Sequence, residues 1–74
     1  MSPPLKEVRK AAGLTQIQLA QKADISRFRL CLAETGSLEL RPDEMAAIAD
    51  AVRRAMERTA RIAHEFESLL TATP

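Results

Sequence analysis

Tryptophan and tyrosine are absent from this 74-residue chain, and phenylalanine occurs only twice. A core must therefore be built from aliphatic and small side chains. An alanine- and leucine-rich remainder of this kind favours helices over sheets, whose pleated faces are best filled by aromatic and β-branched residues. The single cysteine, Cys31, excludes an internal disulfide, and with a single histidine, His64, it leaves no ligand set for zinc. Cys31 is read as a small space-filling residue and His64 as a surface one. No apolar run is long enough to cross a membrane and no leader peptide is recognisable. The expectation is a cytoplasmic protein with a reduced thiol and no membrane partner. Also missing are a nucleophile beside a base, paired carboxylates at plausible sites and a glycine-rich phosphate loop, so the chain is read as a non-enzyme with no catalytic residue, metal site or cofactor.

Charge of one sign is not in excess, because the formal net charge is only +1. Its distribution says more: residues 1–41 hold seven Lys/Arg against four Asp/Glu, whereas residues 42–74 hold four against six. At this length a single core stabilises by only a few kcal/mol, so oligomerisation is expected.

Glycine is nearly absent as well. Gly13 and Gly36, the only two, each end a predicted helix. The first helix carries Leu5, Val8 and Ala12 at helical spacing, with Lys6, Arg9 and Lys10 beside them, after a leading segment over residues 1–4 in which Pro3 and Pro4 oppose helix. Thr15 is the predicted N-cap of a second helix, with Gln18 three residues on to reach back, and Ile17, Leu19, Ala20 and Ala23 form its apolar face. Asp24-Ile25-Ser26 interrupts that face, and Ser26 can cap a third helix over residues 27–35. There Leu30, Ala33 and Glu34 share one face, while Arg27, Phe28, Cys31 and Leu32 lie largely on the other. Helices this short cannot bury their faces alone.

In order and spacing, Gly13-Leu14-Thr15-Gln16, Leu19-Ala20, Ile25-Ser26, Leu30, Glu34 and Gly36 resemble the helix-turn-helix of Cro/cI-type (XRE) repressors. The likeness runs from Leu5 to about Val52. It implies a small all-α helix-turn-helix bundle of the phage-repressor type that binds double-stranded DNA. It also implies that Arg9 pairs with Glu34, clamping the first helix to the third, and that Gln16, at the positive start of the second helix, holds a DNA phosphate. The candidate base readers are Arg27, Phe28 and Leu32, with Ser26 and Arg29 flanking. An arginine fork matches the guanine O6 and N7 acceptors, and Phe28 and Leu32 suit thymine methyl groups. Arg27 and Arg29 each fit a base or a phosphate, and the expectation is a base for Arg27 and a phosphate for Arg29. In the loop over residues 37–42, Arg41 can reach a phosphate, while Leu38 and Leu40 are expected to cover the core or a partner.

The last helix departs from the family. Met45, Ile48, Ala49 and Val52 match its core positions, but Arg53 stands where the helix-ending glycine is usual. Residues 43–70 contain no Gly and no Pro. Met45, Ile48, Val52, Ala55, Thr59, Ile62, Phe66 and Leu69 fall at alternating intervals of three and four, a heptad seam weakened in the middle by Ala55 and Thr59. Residues 1–52 are thus expected to form the DNA-binding domain, and residues 53–74 an extension of the last helix that frays over residues 71–74. Ile62, Phe66, Leu69 and Leu70 are the expected dimerisation residues, in a parallel or antiparallel seam. The competing arrangement is a break near Arg58-Thr59 that folds the tail back as a fifth helix. The function expected is a homodimeric repressor of phage, plasmid or toxin-antitoxin type on a pseudo-palindromic operator, with activation by the same fold left open. The alternative is a protein-interaction module whose long helix binds a partner such as a toxin, with DNA binding secondary.

Overall fold

The computed structural model describes residues 4–71. Residues 1–3 and 72–74, which hold most of the leading segment and of the end expected to fray, lie outside the described residues. Four helices and no strand occur among the described residues: α1 (Leu5–Ala11), α2 (Gln16–Ala23), α3 (Arg27–Glu34) and α4 (Pro42–Thr71).

Local chemistry sets the limits of the short helices. The Thr15 hydroxyl accepts from the Gln18 backbone N–H at 3.1 Å, and Gln18 Oε1 accepts from the Thr15 N–H at 3.0 Å. This reciprocal cap satisfies two otherwise orphaned donors at the start of α2. Ser26 caps α3 by accepting from the Arg29 N–H at 3.1 Å. All three short helices end in a left-handed residue. Gly13 (φ 73°), Asp24 (φ 55°) and Gly36 (φ 80°) reverse the chain. That reversal lets Leu14, Ile25 and Ser37 donate back to the carbonyls of Arg9, Ala20 and Leu32 at 3.2, 3.0 and 2.9 Å. Asp24 replaces glycine at the tight turn between α2 and α3 because its short polar side chain tolerates this backbone region.

The core is small and aliphatic. Leu19 and Leu30 are fully enclosed at its centre, ringed by Ala12, Leu14, Ala20, Ala23, Ile48, Ala51 and Val52. Leu5, Val8, Ile25 and Leu40 pack on its edge. Three residues expected inside are not there. Ile17 is 51% exposed and Met45 55% exposed, and Ala49 is also exposed. Ile17 lies two positions from Leu19, more than half a turn around α2. In α4 the row that faces the bundle is Glu44, Ile48, Ala51 and Ala55, at intervals of four, three and four, which leaves Met45 and Ala49 to one side of it.

No fifth helix forms among the described residues. α4 continues unbroken through Arg58 and Thr59 for 30 residues, about 45 Å at the usual rise. That accounts for the 55 Å long axis of a molecule only 25 × 18 Å across. From Met56 onward every described residue is exposed, so the second half of α4 stands clear of the bundle.

Candidate nucleic-acid interface

Two buried carboxylates fix the orientation of α3. Glu34, at its C-terminal end, takes both prongs of the Arg9 fork: Nε donates to Oε2 at 2.7 Å and Nη2 to Oε1 at 3.1 Å. The third donor, Arg9 Nη1, goes to the Leu14 carbonyl at 2.9 Å, and Gln16 Nε2 donates to Glu34 Oε1 at 3.1 Å. With side chains 9% and 3% exposed, the pair ties α1, the turn after it, α2 and α3 at one point. Burial pushes the Glu34 carboxyl up, but the hydrogen bonds from Arg9 and Gln16 outweigh it and hold the group below its ordinary value. The same contact raises the Arg9 guanidinium.

Glu44 anchors the other end. Arg29 Nε and Nη2 donate to its two oxygens at 2.8 and 2.7 Å, and the Arg41 backbone N–H adds a third bond at 2.9 Å. Glu44 stands three residues after Arg41 and returns to that backbone N–H, which is half of a capping box for α4. The hydrogen bonds from Arg29 and Arg41 bring the Glu44 carboxyl down to about 2. α3 is therefore held to α1 through Glu34 and to α4 through Arg29.

Two residues expected at the DNA also meet protein groups. Arg29, expected to meet a phosphate, spends its fork on Glu44 and positions α3 against α4. Gln16, also expected to meet a phosphate, gives one amide hydrogen to Glu34. Because a primary amide carries two donors, the second remains for another acceptor. Glu44 was missed altogether as a structural anchor. Its signal was an acidic residue at the third position of a helix opened by proline.

The remaining candidates lie on the outer side of α3 and its flanks. Arg27, Ser26 and Cys31 are exposed and Leu32 is half-buried. Phe28 is 72% exposed, a large apolar ring offered to solvent. Two open hollows flank the start of α3. One, of about 390 Å³, brings Gln16 and Arg27 to the same lip, together with Lys10 and Thr15. The other, of about 550 Å³, is lined by Ser26, Arg29 and Arg41 together with Asp24, Asp43 and Glu44. The Arg41 side chain is 70% exposed and lies 3.5 Å from Glu44 and 3.7 Å from Asp43. Ile62, Phe66, Leu69 and Leu70 are far from this face on the projecting half of α4, between 59% and 71% exposed. Among the described residues no cluster of His, Cys, Asp and Glu is placed to hold a metal ion, and no helix is long and apolar enough to cross a membrane.

An arrangement of two capped helices about a left-handed turn, with the second helix braced on its inner side and presenting arginine and an apolar ring on its outer side, suits insertion into a major groove. Comparison with known proteins gives the same answer. A family model described as Helix-turn-helix matches residues 5–57, which takes in α1, α2, α3 and the first half of α4. Neither the curated proteins nor the solved structures yield a match. The chain belongs to the Cro/cI-type (XRE) helix-turn-helix family of DNA-binding transcription regulators.

Proposed function

We propose that the protein is a homodimeric, sequence-specific repressor that binds a pseudo-palindromic operator and excludes polymerase from it. The observation that carries this reading is the asymmetry of α3. Its inner side is held by the Glu34 and Arg29 ion pairs, while Arg27 and Phe28 stand in solvent. Charged and aromatic side chains exposed on a rigid helix are what base recognition requires, because each bidentate contact discriminates only if the helix cannot turn.

In this reading Arg27 forks to a guanine, and Phe28 and Leu32 lie against thymine methyls. Ser26, Arg41 and the second amide hydrogen of Gln16 hold phosphates, which set register without choosing sequence. Arg29 is a positioning residue. Two copies joined through the projecting half of α4 would place their α3 helices about 34 Å apart, one in each of two successive major grooves on the same side of the duplex.

The test is binding to a duplex taken from upstream of the protein's own coding region, against a scrambled duplex, across a salt series. Tighter binding to the upstream duplex is expected, with an affinity that falls steeply as salt rises because phosphate contacts release counterions. Equal affinity for both duplexes at every salt concentration overturns the sequence-specific reading.

A further inference from the structure

Beside the row that faces the bundle, α4 carries a second apolar row. Met45, Ala49, Val52 and Met56 follow at intervals of four, three and four, and Thr59, Ala63, Phe66 and Leu70 carry the alternation to the end of the helix. Along the bundle this row floors an open groove of about 740 Å³ whose second wall is α1, through Leu5 and Val8. Met45 and Met56 are 55% and 42% exposed there, with Ala49 open between them. Past the bundle the same row becomes a ridge, on which Phe66 is 60% exposed with Ile62, 59% exposed, beside it.

We propose that the groove is the seat for the projecting half of α4 from a second copy, the two helices running antiparallel so that each protomer fills the other's groove. This rests on the homodimer reading above and adds its geometry. Length is the first support. The groove spans Met45 to Ala60, about 22 Å, and the ridge from Thr59 to Leu70 is about 17 Å long, so one fits within the other. Side-chain size is the second. A two-fold axis between residues 57 and 58 sets Phe66 over Ala49, Ala63 over Val52 and Thr59 over Met56, three rungs that each pair a larger side chain with a smaller one, and brings Leu70 over Met45 at the open end of the groove. Parallel pairing stacks Phe66 on Phe66 and Ala49 on Ala49, and leaves the α1 wall unfilled.

The third support is handedness. A two-fold perpendicular to both helices brings the same side of each together. Ile62 and Leu69 continue the row of Ile48 and Ala55, which is the α1 side of the groove, whereas Arg53 and Glu57 line the opposite rim. Leu5 and Val8 therefore cover Ile62 and Leu69 of the second copy, and the charged rim stays in water. Burying apolar side chains on both halves of the helix is the driving force.

Cross-linking tests the arrangement in a Cys31→Ser background, which removes the only native thiol. Chains carrying Ala49→Cys are mixed with chains carrying Phe66→Cys and treated with a short bismaleimide. A covalent dimer is expected in the mixture and in neither chain alone. Dimer formation by Phe66→Cys alone shows a parallel seam and overturns the proposal. Sedimentation of the uncross-linked chains separates the two levels of failure. A dimer that gives no mixed product overturns this geometry only, whereas a monomer at all concentrations overturns the homodimer reading beneath it. Ala49→Trp supplies an independent check, because Ala49 is exposed and the ring need not disturb the fold. Its helical circular dichroism should match the parent while dimer affinity falls at least tenfold, and an unchanged affinity overturns the proposal.

Discussion

All three Arg9 nitrogens are engaged inside the protein: Nε and Nη2 hold Glu34, and Nη1 donates to the Leu14 carbonyl. Both partners are buried, so removing one strands the other as an unpaired charge in the core. Glu34→Ala should destabilise the fold by about 3 to 5 kcal/mol, well above the cost of losing an exposed pair. Urea melts of Arg9→Met, Glu34→Gln and the double variant check this, with coupling of more than about 1 kcal/mol expected between residues that share a hydrogen-bond network. Arg27 is the opposite kind of residue, exposed and outside the core. Arg27→Ala should leave the melting curve within about 0.5 kcal/mol of the parent, yet cost about 1 to 3 kcal/mol on the operator and flatten discrimination at one base pair. Uniform weakening on all sequences, with a shallower salt slope, would instead make Arg27 a phosphate contact. A pH dependence follows from Glu34 and Glu44, whose carboxyls are both depressed. Depressed carboxylates stabilise above their unfolded value and lose that contribution as they take up protons. Stability should therefore fall as pH drops from about 4.5 towards 2. Glu44→Gln should flatten the lower part of that profile when it is followed by circular dichroism.

Capping decides where the short elements begin and end, and it is local enough to be read from the chain. Thr15 with Gln18, Ser26, Gly13 and Gly36 each sit within four residues of the groups they satisfy. The helix limits followed from them. Thr15→Ala should cost about 1 kcal/mol in thermal or urea melts, because it removes one half of the reciprocal cap at the start of α2. Gly36→Ala should cost a similar amount for another reason. No atom lies within 4 Å of the Cβ it would add, so the penalty is purely that of holding a side chain at φ 80°. What could not be read locally was rotation and long-range pairing. Met45 and Ala49 fit a helical apolar stripe as well as Ala51 does, and only the packing of α4 on α2 decides that Ala51 turns inward. The Arg29–Glu44 contact joins residues fifteen apart in two helices. From sequence, Arg29 was a free cation beside a presumed DNA face. The Arg9–Glu34 contact spans a still longer separation, and it was legible only through the family resemblance, since a spacing of 25 residues has no periodicity to announce it.

At the scale of the whole molecule the unusual feature is a rod attached to a bundle. The bundle is complete by Ala55, the last half-buried residue, and the sixteen residues of α4 that follow are all exposed in the single chain. A bare apolar helix extending into water is a poor use of Ile62 and Phe66 unless something covers them. Each such anchor contributes about 1.5 to 3 kcal/mol on full burial. A two-fold contact counts every anchor twice, which is enough to offset an association cost of about 4 to 15 kcal/mol. Deleting the chain after Arg58 separates the two halves of this design. Because the core lies entirely before that point, the truncated chain should stay folded and melt cooperatively. It should sediment as a monomer. Its affinity for the operator should fall by about 10²-fold or more, since two half-sites would then be bound independently rather than by linked domains. Affinity for a single half-site should change little, because Arg27, Phe28 and the bracing of α3 remain. A truncated chain that still sediments as a dimer would place the self-association surface on the bundle, and α4 beyond Arg58 would then need another partner to account for its exposed side chains.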